Sequence, residues 1–136
     1  MANSQSIVCL DVGEKRIGVA VADTAVRIAV AYDTIEVDGG EIEAISHVIA
    51  SEKADIVVLG YPRNQSGEPT AQTRFVEDFS EKLKGIAPRI IFQDESLTSV
   101  IAEQRLKSYK KPYSKGDIDA QAAAIILQDY LETNYA

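Results

Sequence analysis

Three acidic positions in this chain stand where a carboxylate is costly. Asp11 lies in the run Ile7-Val8-Cys9-Leu10-Asp11-Val12, at the carboxyl end of the most apolar segment. A charge there is unfavourable unless it is paired or bound to a metal. Asp94 and Glu95 follow the apolar triplet Ile90-Ile91-Phe92. Asp119 precedes Ala122, Ala123, Ile126 and Tyr130 at offsets of three, four, seven and eleven, which puts it on the apolar face of a helix at its first turn.

Each acid has an ordinary structural explanation. Asp11 can bond the turn from Gly13 to Arg16. Asp94 or Ser96 can cap a helix starting at Leu97, with Glu95 near its positive end. Asp117 can act as N-cap of the last helix, while Asp119 complements its dipole. This last explanation suits Asp117 better, because a solvent-facing acid would serve the dipole equally well as Asp119. Taken jointly, carboxylates from distant sequence positions suit magnesium or manganese, which prefer oxygen ligands. Two such ions about 3.5–4 Å apart can activate water and stabilise the leaving oxygen in phosphodiester cleavage.

The elements that must position these acids follow from periodicity. Short apolar runs predict strands at Ile7–Val12, Ile17–Ala22, Ala29–Val37, Asp55–Leu59 and Arg89–Gln93. In the second, Gly18, Ala20 and Ala22 alternate with Ile17, Val19 and Val21, so something packs close to the small face. Helical spacing predicts a helix from Glu41 with Ile42, Ile45, Val48 and Ile49 inward. A second runs from Thr70 to Leu83 with Ala71, Phe75, Phe79 and Leu83 inward, and Gly85 and Pro88 close it. A third covers Leu97 to about Lys107 with Leu97, Ile101, Ala102, and Arg105 or Leu106 on its stripe. The last runs from Asp117 to about Glu132. Gly60-Tyr61-Pro62 and the Arg63–Pro69 stretch read as turn and loop, and Ser108–Gly116 as a polar, basic segment.

The first three strands are close enough for antiparallel hairpins, whereas the last two each follow a helix and should run parallel to a central strand through right-handed crossovers. Asp11 and Asp94/Glu95 then meet at one sheet edge, where open α/β sheets bind ligands. A helix packed on the sheet can bring Asp119 there.

The 136 residues suit one domain spanning residues 1–136, and 46% hydrophobic content can fill a core without staples. The lone Cys9 excludes an intramolecular disulfide and a cysteine-cluster metal site. No apolar run is long enough to span a bilayer, and a cytoplasmic setting without membrane partners is expected. The net charge of −7 argues against wrapping nucleic acid by bulk charge. That charge is unevenly distributed. Seven acids and one lysine lie between Asp33 and Asp55, whereas Arg105, Lys107, Lys110, Lys111 and Lys115 form an acid-free basic stretch. The pattern leaves room for a local cationic lip. His47 receives no role.

Four segments carry a resemblance that covers nearly the whole chain. They are Leu10-Asp11-Val12-Gly13-Glu14-Lys15-Arg16-Ile17-Gly18 through Asp23; Val57-Val58-Leu59-Gly60-Tyr61-Pro62 with Gly67; Asp94-Glu95-Ser96-Leu97-Thr98-Ser99; and Lys115-Gly116-Asp117-Ile118-Asp119 followed by Ala122-Ala123 and Ile126-Leu127. In this order and spacing they resemble the YqgF (RuvX) family of RuvC-type, RNase H-like proteins, described both as Holliday junction resolvases and as pre-16S rRNA nucleases.

The resemblance implies an α/β, RNase H-like fold with a five-stranded mixed sheet ordered 3-2-1-4-5 and helices on both faces. It implies that Asp11, Glu95 and Asp119 are catalytic, metal-binding acids, with Asp94 in support, and that the cofactor is magnesium or manganese, in two ions. Two positions depart from the family pattern: Ser96 stands where arginine is usual, and Tyr61 where leucine is usual.

The activity implied is phosphodiester hydrolysis, with processing of the 5′ end of pre-16S rRNA in ribosome biogenesis favoured over resolution of branched DNA. Lys15, Arg16, Arg63, Lys107, Lys110, Lys111 and Lys115 are the bases expected to hold phosphates. Tyr61, Tyr109 and Tyr113 could stack on bases, although ordinary packing is the stronger expectation for them. Two other readings compete. Asp11-x-Gly13 before a hairpin also resembles the first phosphate motif of actin-like kinases, which need two such domains. A nucleic-acid- or ribosome-binding module without catalysis is the other. No base-reading motif is visible, and no clear dimer surface, so RNA as partner and a monomer or weak homodimer are expected.

Overall fold

A computed structural model describes residues 4–62, 70–95, 98–109 and 113–135. Strands β1 (Ser6–Val12), β2 (Arg16–Asp23), β3 (Val30–Glu36), β4 (Ile56–Pro62) and β5 (Ile90–Glu95) form one sheet ordered β3-β2-β1-β4-β5. The β1–β2 and β2–β3 pairs are antiparallel, and β4 runs parallel to both β1 and β5. Helices α1 (Glu41–Glu52), α2 (Ala71–Leu83), α3 (Thr98–Ser108) and α4 (Lys115–Tyr135) complete the chain. The mixed sheet and its order are those expected.

Two cores form because β-strand side chains alternate between faces. On one face Val8, Leu10, Ile17, Val19, Val57 and Leu59 pack against Ile45, Val48 and Ile49 of α1 and Val76, Phe79 and Leu83 of α2. On the other, Ile7, Cys9, Ala20, Ile56 and Val58 pack under Ala123, Ile126, Leu127 and Leu131 of α4. Helix α3 lies against the outside of α4 through Ala102, Ala122 and Ile125.

Several local expectations need correction. The inward stripe of α2 is Thr73, Val76, Phe79, Ser80 and Leu83. Ala71 is exposed and Phe75 only half-buried. The buried polar pair is explained by bonding, since the Thr73 hydroxyl donates to the Pro62 carbonyl and Ser80 donates to the Glu77 carbonyl. Thr73 also closes a reciprocal cap with Thr70. In α3 Ala102 is buried, but Ile101 is exposed. Leu97 lies outside the described residues.

Strand β4 continues through Gly60-Tyr61-Pro62, because β5 pairs along its whole length to Pro62↔Glu95. Asp94 and Glu95 are thus strand residues and open no helix. Helix α4 begins at Lys115, and its N-cap is Ser114 in place of Asp117. The Ser114 backbone N–H donates to Asp117 Oδ2 at 2.9 Å, and the Asp117 N–H donates to Ser114 Oγ at 3.2 Å. This reciprocal pair satisfies two groups that a helix start leaves open.

Candidate active site

The register places the acids. Asp11 pairs with Gly18, and Cys9, two residues earlier, pairs with Val58 and faces α4. Alternation therefore turns Asp11, Gly18 and Gly60 to the α4 face. Glu95 shares that face: Glu95 Oε2 would lie 2.2 Å from a Cβ built on Gly60. Asp119 sits in the second turn of α4, and its backbone carbonyl would lie 1.9 Å from a Cβ built on Gly18. Only glycine permits so close an approach of helix to strand. The small face of β2 is the seat of α4, as its residues foretold.

The three acids thus come from β1, β5 and α4 to one end of one sheet face. Burial raises the Asp11 carboxyl to about 6, and the Asp119 charge adds to the shift. Burial, with repulsion from Asp11, raises Glu95 to about 7. Desolvation and like charge both favour the protonated form. Glu95 Oε2 is buried and makes no hydrogen bond among the described residues. Asp119 is held differently: Arg16 Nε donates to Asp119 Oδ2 at 2.7 Å. Among the described residues no three His, Cys, Asp or Glu side chains close into a ready metal cluster. The acids share a face, but Asp119 is turned to Arg16.

The other expected residues are distributed as follows. Lys15 is exposed and, with Gly13, Glu14, Arg16, Gln72 and Asp119, lines an open pocket at the β1–β2 turn. Gln72 was not anticipated; its Nε2 donates to the Val12 carbonyl at 3.2 Å and ties α2 to that turn. Lys115 is exposed at the start of α4. Lys107 is exposed on α3 and pairs with Glu103 at 3.3 Å.

Arg63, Lys110, Lys111 and Ser96 lie outside the described residues. Asp94 is exposed and lines a pocket with Tyr61, Glu77 and Phe92, away from Glu95. Tyr61 packs on Phe92 with ring centroids 5.0 Å apart and donates to Glu77, so packing accounts for it. Tyr109 is exposed. Cys9 is buried, and burial pushes its thiol well above the usual range.

A family model described as "RuvX: Holliday junction resolvase" matches residues 5–133. The chain belongs to the RuvX family. RuvX is a nuclease family, so the acids just described stand in a nuclease scaffold. A relative from Chloroflexus aggregans, named "Putative pre-16S rRNA nuclease", is 42% identical over 136 residues, covering 96% of this chain and 95% of its own. One from Sulfurihydrogenibium, with the same name, is 40% identical over 129 residues and covers 93% and 89%. Among solved structures, T. thermophilus RuvC in complex with a Holliday junction substrate aligns over 97% of this chain and 98% of its own, with TM-score 0.60 and 13% identity. That likeness establishes the RuvC-type, RNase H-like fold for this RuvX member.

Proposed function

We propose that this RuvX-family chain is a divalent-metal-dependent nuclease that trims RNA, with the 5′ end of pre-16S rRNA as its substrate. The observation that carries the reading is the meeting of Asp11, Glu95 and Asp119 on one desolvated sheet face, with the buried Glu95 Oε2 unpartnered among the described residues. Carboxylates that repel one another, one of them with a buried oxygen that has no donor among the described residues, suit a hard cation, which would remove both costs.

Magnesium or manganese, when bound, supplies Lewis acidity to a phosphoryl oxygen and lowers the pKa of water. Asp11, Glu95 and Asp119 would provide its oxygen ligands, two ions matching the chemistry of the set. Lys15 at the pocket rim holds substrate phosphate. Arg16, which pairs with Asp119 at 2.7 Å, would turn to a substrate phosphate when the acid holds a cation. Lys107 and Lys115 are further bases for phosphate, and Arg63, Lys110 and Lys111, outside the described residues, are assigned the same role from the sequence. These contacts position the strand without reading bases, so selection rests on the shape of the RNA end.

The test is a cleavage panel of structured precursor RNA, single strands and four-way DNA junctions with magnesium or manganese. Precursor RNA should be cut, and Asp11→Asn should lower the rate by roughly 10³ or more. Equal cleavage by Asp11→Asn would defeat the metal–acid mechanism. The family description and the RuvC fold favour branched DNA as the second reading. Symmetric cleavage of the four-way junction, with RNA left intact, would establish it in place of RNA processing.

A further inference from the structure

Strand β4 reads Ile56-Val57-Val58-Leu59-Gly60. A glycine after four branched residues forfeits packing and chain entropy, and inside a strand it marks a close approach. Ile56 and Val58, on the same face, are fully buried beneath α4. At Gly60 the space a side chain would fill is already taken. A Cβ there would lie 2.2 Å from Glu95 Oε2 and 2.8 Å from Ile126 Cδ1. Both separations are shorter than nonbonded contact allows, so any larger residue must displace the carboxylate, the isoleucine or both.

We propose that Gly60 is a positioning residue for Glu95: by presenting no side chain it lets the carboxylate lie over β4, between β5 and the Asp11-bearing β1, and so sets the spacing of the acids toward a divalent cation. The cation part rests on the nuclease reading above. The steric part rests only on the Gly60–Glu95 approach. Ile126 is the rival explanation, in which Gly60 merely makes room for the core.

The experiment is a pair of double-mutant cycles on the full chain, read by calorimetric Mn²⁺ titration and by thermal unfolding without metal. Gly60→Ala should weaken Mn²⁺ binding about tenfold or more with Glu at position 95. The shorter acid relieves the clash, so Gly60→Ala combined with Glu95→Asp should bind within about threefold of Glu95→Asp alone. Gly60→Ala combined with Ile126→Val should remain as weak as Gly60→Ala. Equal losses from Gly60→Ala with and without the Glu95→Asp change, or rescue by the Ile126→Val change instead, would overturn the proposal.

If the natural chain shows no saturable Mn²⁺ binding, or Asp11→Asn binds equally well, the metal reading of the site fails by itself. The unfolding cycle then decides the steric claim. Its expected result is a smaller Tm loss from Gly60→Ala when Glu95→Asp is also present than when Glu95 is retained. Identical losses overturn the claim.

Discussion

The two faces of the sheet differ most along β2. Toward α1 and α2 the strands present Val8, Leu10, Ile17, Val19, Val57 and Leu59, and the helices answer with Ile45, Val48, Val76, Phe79 and Leu83. Toward α4, β2 presents Gly18 and Ala20, and the helix answers with Ala123 and Ala124. Large side chains hold two layers apart and fill the space by volume. Small ones let backbone meet backbone, which lets a carboxylate in an early turn of α4 stand beside carboxylates on β1 and β5. Both faces supply stability, since Ile7, Ile56, Val58, Ile126, Leu127 and Leu131 fill the rest of the α4 side; at Gly18, Ala20 and Gly60 that side gives up side-chain volume for proximity.

Substitutions can break this contrast. The largest effect is expected from Gly18→Val, because its Cβ would meet the Asp119 carbonyl carbon at 2.3 Å as well as the oxygen. Backbone cannot swing aside as a side chain can, so urea unfolding should show a loss of roughly 3 kcal/mol or more, with Mn²⁺ binding abolished. Leu10→Ala on the opposite face should lose a comparable 2–5 kcal/mol or so by cavity formation. It should nevertheless bind Mn²⁺ normally at low temperature. Loss of binding in both variants would mean the faces are not separable.

A smaller effect of opposite sign is expected at the site itself. Asp11→Asn removes a desolvated, repelled charge, so the metal-free protein should gain about 1–3 kcal/mol at pH 8, measured by urea unfolding. The same physics sets the pH dependence. The carboxyls of Asp11 and Glu95 rise from 3.8 to about 6 and from 4.5 to about 7 on folding. Between about pH 4 and 7 the folded state therefore binds more protons than the unfolded one, and stability falls as pH rises. The metal-free Tm should decline across that window, and saturating Mn²⁺ should flatten the decline. A metal-free Tm unaffected by Asp11→Asn across the window would contradict this. The smallest effect is expected from Arg16→Gln. With both partners about a quarter to a third exposed, its ion pair contributes about 1 kcal/mol or less. The variant should unfold almost as the natural chain does while losing affinity for substrate phosphate in a salt-dependent way.

Much of the architecture was legible because its signals are local. Alternation in Ile17 to Ala22 exposed the small face, and the separation of the last two strands by helices required parallel crossovers. Element ends were less legible. Glu95 looked like a helix start because Asp-Glu-Ser suits a cap, but pairing with Tyr61 and Pro62 extends β5 through it. Asp117 looked like an N-cap, whereas Ser114 holds that place and leaves Asp117 as its reciprocal partner. The inward stripe of α2 was displaced because Thr73 and Ser80 are buried through hydrogen bonds to backbone carbonyls, which apolar periodicity cannot register.

Sequence alone determined which acids were out of place and which strand face had to be thin. Those follow from the costs of burying charge and from the two-residue period of a strand. Only the tertiary structure decided that Asp119 is held by Arg16, that Asp94 turns away from Glu95, and that the empty side of Gly60 is filled by a carboxylate from the neighbouring strand. Each depends on separations of a few ångströms between residues far apart in the chain, and no periodicity encodes such distances.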